Sequence, residues 1–297
     1  MSVRNARRVV FAAVLAAVVG AGQWLMLKAD VPQVAAGTWA SAGGFGPVPD
    51  GAASATLPDG RMVVAGGRYD NGTLVSQIGI FDPATQSWDD GGQLAMARTG
   101  HTASALSDGR VLFAGGYTAN GLSSDVEIYD PRTGQSVHSG DMWSPRVNHA
   151  AASLGSVVFI AGGSDGSSVL DHVELFDADS GQTQSLAVRM SGPRKDFTAT
   201  TLLDGHVLIA GGRNDSGLLA TAEIFESGSR SIFLTGPLHA ARSGHVAVLL
   251  PNNNQVLIAG GNGASAELYA DWRDGFTVVP NAMTQPRTGA LGGAAAA

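Results

Sequence analysis

A side chain that can bind anions recurs at nearly equal intervals in this chain. The repeated arginines, which lie 48, 48, 48 and 45 residues apart, are Arg98, Arg146, Arg194, Arg242 and Arg287. A guanidinium group binds carboxylates and phosphates through paired, charge-assisted hydrogen bonds. The five arginines are therefore candidate ligand-binding residues.

The same regularity also allows a purely structural interpretation of the arginines. A charged residue that recurs with a repeat can pair, between one repeat and the next, with a carboxylate that recurs in the same way. The candidate carboxylates are Glu127, Glu174, Glu223 and Glu267. Both interpretations, ligand binding and internal ion pairing, stay open at this point.

Histidines follow three of these arginines by three residues, at His101, His149 and His245. Converging imidazoles can bind a metal, but Phe197, Ala290 and Ala52 occupy the corresponding positions in the other repeats. We therefore predict that the histidines are structural and that the protein has no metal site. The chain has no cysteine, which excludes disulfides, thiolate zinc sites and a thiol nucleophile.

One stretch, Gly162–Gly166, matches the G-x-S-x-G pattern of serine hydrolases. A nucleophile elbow requires a turn from a strand into a helix, and the residues that follow are not helical in pattern. The sequence therefore predicts no catalytic residue and no cofactor.

A pair of glycines after a short apolar strand organises the chain. The stretch DGRVLFAGG at 108–116 has counterparts whose first glycines are Gly66, Gly162, Gly211 and Gly260, which with Gly115 are 49, 47, 49 and 49 residues apart. Self-similarity at a period near fifty indicates a repeat architecture. Each repeat is expected to hold four strands: a small-residue strand, the apolar strand, an alternating strand such as Asp125–Tyr129, and a weaker strand.

The repeat resembles the kelch repeat in its glycine pair, in an aromatic residue that follows, in the later Trp88, and in the arginine four positions after an apolar residue. The sequence is close to those of bacterial kelch proteins and galactose-oxidase-like propellers. The resemblance implies an all-β propeller, without the copper-radical site because there is no cysteine. Five complete four-stranded blades are expected at about 50–96, 97–142, 143–190, 191–238 and 239–283. Residues 37–49 and 284–297 are expected to form a split or incomplete sixth blade. Its missing middle strands imply a truncated chain, or a partner strand that completes the ring.

The N-terminal residues indicate export. Arg4, Arg7 and Arg8 precede an uncharged, mostly apolar run at residues 9–27, as in a signal peptide or a membrane anchor. We predict that residues 1–30 form this signal or anchor helix and that residues 31–297 form the propeller. The protein is then secreted, periplasmic or membrane-anchored in a bacterial-type envelope.

Composition and loop pattern limit the choice of partner. With 18 Lys and Arg against 25 Asp and Glu, the net negative charge argues against nucleic acid. The variable loops at 68–76, 117–124, 164–170, 213–219 and 262–265 share one face with the arginines, which predicts a binding module for a protein or a glycan. The alternatives are a carbohydrate-active enzyme of mutarotase or epimerase type, and a structural fragment without activity.

Overall fold

The computed structural model describes residues 49–250, 253–270 and 275–280. The chain divides into two compact units, 1–42 and 43–297, and every described residue belongs to the second. The described residues are all-β, with no α-helix and hence no helix that could cross a membrane. The predicted signal or anchor helix, the predicted partial blade and Arg287 lie outside these residues, apart from Pro49.

Five antiparallel four-stranded sheets, which we call blades 1 to 5, account for most of the strands. Blade 1 contains β1 (Ala53–Thr56), β2 (Met62–Ala65), β3 (Gln77–Asp82) and β4 (Ser87–Gln93). The connection to blade 2 contains β5 (Arg98–Thr99). Blade 2 contains β6 (Thr102–Ala105), β7 (Val111–Ala114), the short pair β8 (Tyr117–Thr118) and β9 (Gly121–Leu122), and then β10 (Asp125–Asp130) and β11 (Gln135–Asp141).

The remaining blades repeat this order. Blade 3 contains β12 (Ala150–Leu154), β13 (Val157–Ala161), β14 (His172–Asp177) and β15 (Gln182–Arg189). Blade 4 contains β16 (Thr198–Thr201), β17 (Val207–Ala210), the short pair β18 (Arg213–Asn214) and β19 (Gly217–Leu218), and then β20 (Ala222–Glu226) and β21 (Ser231–Thr235). Blade 5 contains β22 (His245–Leu250), β23 (Gln255–Gly260), β24 (Ala266–Ala270) and β25 (Gly275–Val278). These strands confirm the four-strand repeat expected from the sequence.

The core lies between neighbouring blades. The second strand of each blade is rich in β-branched and aromatic residues, which favour a strand covered on both faces. In blade 3, Val158, Phe159 and Ile160 are all fully buried, and the ring of Phe159 lies 4.7 Å from that of Phe225 in blade 4. The first strands follow one another in space, because β6 contacts β1 and β12, and β16 contacts β12 and β22.

A chain of backbone hydrogen bonds links the blades where the first strands begin. Each N–H donates to the equivalent carbonyl of the preceding blade, from Gly100 to Gly51, Asn148 to Gly100, Asp196 to Asn148 and Gly244 to Asp196, over 2.8 to 3.0 Å. All five residues have φ between 55° and 67°. Only glycine, asparagine and aspartate adopt this left-handed conformation readily, which explains their recurrence here.

The glycine pairs join each blade to the next. The second glycine of a pair donates its N–H to the backbone carbonyl of the next blade's arginine, at 2.8 Å for Gly116 to Arg146. The first glycine, Gly115, has φ of 65°, and a Cβ there would lie 2.8 Å from the Arg146 carbonyl oxygen and 3.0 Å from the His149 ring. Alanine is therefore excluded both by the backbone conformation and by the neighbouring blade.

We expect Gly115→Ala to lower the free energy of unfolding by about 3 kcal/mol or more, because strain and a clash act together. Gly109 is the matched control, since its φ is 89° but no atom lies within 4 Å of a built Cβ. Gly109→Ala is expected to cost only about 1 to 2 kcal/mol of strain. Urea denaturation measures both, and equal losses would contradict the proposed contact with blade 3.

Candidate functional site

Each described arginine of the repeat occupies a buried socket within its own blade. Arg98, Arg146, Arg194 and Arg242 have almost no solvent-exposed surface. Their Nη1 groups donate to the carbonyl of the first glycine of the pair, for example Arg242 to Gly260 at 2.9 Å and Arg98 to Gly115 at 2.9 Å. The arginine thus holds the end of the second strand.

The other end of each guanidinium pairs with the repeated glutamate on the third strand. Arg242 Nη2 lies 2.7 Å from Glu267 Oε1. The equivalent pairs are Arg98 with Glu127, Arg146 with Glu174 and Arg194 with Glu223. The predicted glutamate partners are therefore confirmed for these four arginines, but each pair lies within one blade and not between blades as expected.

Each glutamate also holds the connection that enters its blade. The backbone N–H groups of Ala95 and Met96 donate to Glu127, and the N–H of Trp143 donates to Glu174 Oε2 at 2.7 Å. Burial raises the pKa of Glu174 and lowers that of Arg146, because desolvation disfavours both charges. Arg146 and Glu174 thus form a buried ion pair with a structural role.

The structure brings four of the predicted ligand-binding residues, Arg98, Arg146, Arg194 and Arg242, to equivalent positions, but with their guanidinium groups buried against glutamates. Arg287 lies outside the described residues. Ligand binding by these arginines stays a prediction, since no ligand is present.

The repeated histidines pack against the strand that begins the preceding blade. His149 Nε2 lies 3.0 Å from Thr102 Oγ1, and His245 Nε2 lies 3.0 Å from Thr198 Oγ1. Where the preceding blade has Ala150 instead of threonine, the next blade has Phe197 instead of histidine. His101 departs from this pattern, because the equivalent residue of blade 1 is Ala53.

Burial keeps these imidazoles neutral. Desolvation first, and the nearby arginine charge second, lower the pKa of His101 and of His245 to about 3. The same two causes lower the pKa of His149 well below its usual value. Because a general acid or base works best with a pKa near the operating pH, these histidines are poorly suited to proton transfer at neutral pH.

The first strands line a central pocket of about 250 Å³. Its described lining consists of alanines, small hydroxyl residues such as Ser54 and Thr200, Val246, the three histidines and Phe197. No carboxylate lies in this described lining. No group of three metal-ligating side chains occurs within the described ranges.

Exposed aromatic side chains lie on the loop face. We define the loop face as the loops at 68–76, 117–124, 164–170, 213–219 and 262–265 with the connections between blades. Trp143, in the connection from blade 2 to blade 3, is 75% exposed. This connection is part of the loop face, because Arg146 N donates to Ser123 O and Val147 bridges Ser164.

Trp143 is exposed on a rigid backbone. Its N–H is fixed by the buried Glu174, and its neighbour Met142 is buried, with its own N–H bonded to Ser124 O at 2.8 Å. Tyr69 and Tyr117 are also exposed on this face. The loop face therefore presents large apolar rings without requiring any of the arginines to leave its socket.

Trp143 is not among the residues that the repeated pattern predicts to be functional. The signal was present in the alignment of repeats, because the positions equivalent to Trp143 hold Ala95, Ser191 and His239. All four donate a backbone N–H to a repeated glutamate. A tryptophan in one repeat only is not explained by the repeat itself.

Comparison with protein families identifies the repeat. A family described as Kelch motif matches residues 98–142 and 145–182, and a second family of the same description matches residues 51–95. The solved structure described as "Structure of YjhT" aligns with a TM-score of 0.66 at 20% identity, covering 78% of this chain and 84% of that one. At this identity the likeness shows the fold alone.

Several curated proteins are similar in sequence. Acyl-CoA-binding domain-containing protein 5 of Arabidopsis thaliana is 25% identical over 80% of this chain and 34% of its own length. Kelch domain-containing protein 9 of Homo sapiens is 30% identical over 55% of this chain and 54% of its own length. Kelch-like protein 9 of Mus musculus is 31% identical over 34% of this chain and 17% of its own length. The match thus spans about half or less of each of these relatives.

We expect Glu174→Gln to lower the free energy of unfolding by roughly 3 to 5 kcal/mol, because it leaves the buried Arg146 charge uncompensated. The control is Arg132→Gln, since Arg132 pairs with Asp130 at 2.9 Å but is 70% exposed. Loss of that surface pair is expected to cost less than about 1 kcal/mol. Chemical denaturation at neutral pH checks both, and similar losses would refute a structural role for the buried pair.

Acidification is expected to destabilise the protein between pH 6.5 and about 3, because the buried His101 and His245 have pKa values of about 3 and protonate more easily when unfolded. The stability they contribute is complete above the unfolded pKa and is lost as the pH falls.

His101→Phe tests this directly, since Phe197 already occupies the equivalent position of blade 4. Between pH 6 and 4 the variant should gain about 1.4 kcal/mol per pH unit relative to the wild type. Denaturation curves at each pH give the difference, and a constant offset would show that His101 does not titrate on unfolding.

Proposed function

The chain is a kelch-repeat β-propeller protein, and we propose that it is an interaction module whose loop face binds a partner protein around Trp143. The observation that carries this proposal is a tryptophan that is 75% exposed on a connection fixed by a buried glutamate. Kelch domains generally mediate protein interactions, so the fold favours the same class of function.

The chemistry of protein interfaces supports this choice. Tryptophan and tyrosine are enriched among the few residues that dominate binding energy. An aromatic ring held on a rigid backbone loses little conformational entropy when it is covered by a partner. Trp143 meets both conditions, and the exposed Tyr117 and Tyr69 extend the apolar surface of the same face.

The central pocket supports an enzymatic function less well. An enzyme that moves protons on a sugar requires an acid and a base of matched pKa. The described lining of the pocket holds buried, neutral histidines without a carboxylate beside them. The buried Arg–Glu pairs are already satisfied by one another and by backbone groups.

A glycan is the second candidate ligand, because the face of a sugar can stack on the exposed ring of Trp143. Export stays part of the proposal. It rests on the basic residues 1–8 and the apolar run at 9–27, which resemble an export signal.

The experiment places a photoreactive phenylalanine at position 143, or at position 137 as the control, in the organism that makes the protein. Val137 is 56% exposed on the outer strand of blade 2, away from the loop face. We expect a specific adduct at 143 only, and fractionation of the same cells should recover it outside the cytoplasm.

The protein found in the adduct is then purified and titrated calorimetrically. Trp143→Ala should weaken its binding at least about ten-fold, or 1.4 kcal/mol, while Val137→Ala should change it less than about two-fold. Absence of an adduct at 143, or equal binding by both variants, would overturn the proposal for a protein partner. Binding of a glycan array that is lost in Trp143→Ala would establish the second candidate instead.

A further inference from the structure

A groove of about 450 Å³ lies between blades 3 and 4, on the face opposite the loop face. This face carries the turns that join the first strand to the second and the third strand to the fourth. The apolar part of the groove lining consists of Leu154, Val157 and Leu175 from blade 3 and Leu202, Leu203 and Phe225 from blade 4. The volume lies within the range of about 300 to 1,000 Å³ that is typical of small-molecule sites.

A shortened turn in blade 3 makes one side of the groove apolar. A polar residue precedes the second strand in the other four blades, namely Arg61, Arg110, His206 and Gln255. In blade 3, Leu154 pairs directly with Val157 across a two-residue turn, Gly155-Ser156. Val157 therefore stands where the other blades have a polar side chain, and this turn contains no acid.

The charge at this interface differs from that at the preceding one. Between blades 2 and 3, Arg110 Nη2 lies 3.3 Å from Asp179 Oδ1. At the groove the cation is Arg230, on the turn between β20 and β21, and it is the only charged residue in the described lining. The ion pairs among the described residues do not include Arg230. Glu226, in the same turn, bonds instead to Ser229 Oγ.

The backbone at position 230 does not select an arginine. Its φ is 56°, in the left-handed region, which glycine adopts with less strain than other residues. The equivalent residues are Gly134 in blade 2, Gly181 in blade 3 and Gln86 in blade 1. The guanidinium is thus a feature of blade 4 that the turn itself does not require.

A hydrogen bond to blade 3 holds the guanidinium across the groove. Arg230 Nη1 donates to Gln184 Oε1 at 2.9 Å. Gln184 pairs with Leu175 between β15 and β14, and directly opposed residues lie on the same face of a sheet. The charge is therefore held beside an apolar wall, and this bond uses one of the five N–H donors of the guanidinium.

The combination of an apolar lining and a single cation favours a singly charged, amphipathic ligand. A carboxylate carries one negative charge and fits the paired donors of a guanidinium. A phosphate monoester carries nearly two negative charges, and the described lining contains no second cation to compensate them. The net charge of -7 on the chain adds to the repulsion of a doubly charged group.

We propose that this groove binds a small organic acid that has one carboxylate and an apolar chain. The carboxylate pairs with Arg230, and the chain covers Val157 and Leu175. Because the groove and Trp143 lie on opposite faces, this site is independent of the partner protein proposed for the loop face.

Titration of the full chain with octanoate, followed by the NMR signals of its backbone amides, tests the site. One saturable site should shift the signals of Leu203 and Ser227, which line the groove. Hexanoate should bind roughly ten-fold more weakly, because each buried CH₂ contributes roughly four-fold to the affinity. The alcohol 1-octanol has the same chain without the charge and should bind at least about ten-fold more weakly than octanoate.

Three variants separate the charge from the apolar lining. Arg230→Gly should weaken octanoate binding at least about ten-fold and leave 1-octanol binding within about two-fold, and it should fold because blades 2 and 3 have glycine there. Arg132→Gln is the matched control, since Arg132 is 70% exposed on the equivalent turn of blade 2, and it should change neither affinity. Val157→Gln, with the residue type of blade 5, should weaken the binding of both ligands.

Equal affinities for octanoate and 1-octanol would show that the groove does not recognise a charge, and would overturn the proposal. The same conclusion would follow if octanoate did not saturate a site, or if Arg230→Gly bound it as well as the wild type. An equal loss in Arg132→Gln and Arg230→Gly would indicate a general effect of surface charge and would also overturn it. The thermal transition of each variant checks that it is folded.

Discussion

The buried pair between a repeated arginine and a repeated glutamate is the interaction on which the rest of blades 2 to 5 depends. The guanidinium binds the carbonyl that ends the second strand, as Arg242 does with Gly260. The carboxylate on the third strand binds the N–H groups of the entering connection, as Glu267 does with His239. Two buried charges must be compensated by each other and by hydrogen bonds to the groups around them. The connection therefore has to pass where its N–H groups reach the carboxylate.

The buried charges of each repeat and the exposed residue of its entering connection therefore have different roles. The repeated arginines, which the sequence predicts to bind a ligand, are paired with glutamates inside the scaffold, and the central histidines are kept neutral by burial. The glutamate requires only a backbone N–H from the residue at the position of Trp143, so the side chain there is free to differ, and those of Ser191 and His239 also bond to the glutamate. That freedom allows Ala95, Trp143, Ser191 and His239 at equivalent positions, and it places a large ring on the loop face once.

The outer strands carry the least constraint, because each has a neighbour on one side only. Their sequences differ from blade to blade while the second strands hardly change. The third and fourth strands shift register in blades 1 to 3 and pair continuously in blades 4 and 5. Differences at the loop face and at the outer edge are therefore the places where selection for partners can act without disturbing the core.

The sequence by itself determined the repeat, the order of strands and the identity of the paired charges, because these follow from local periodicity and from residue types that recur at a fixed spacing. The glycine pair at 115–116 and the hairpin strands around it could be placed from the sequence to within two residues. Only the tertiary structure decided that Arg98, Arg146, Arg194 and Arg242 are buried while Trp143 and Phe233 are exposed. Exposure depends on packing against strands that are distant along the chain, and the partners of these arginines lie 16 to 29 positions away in the same blade, beyond the reach of any local pattern.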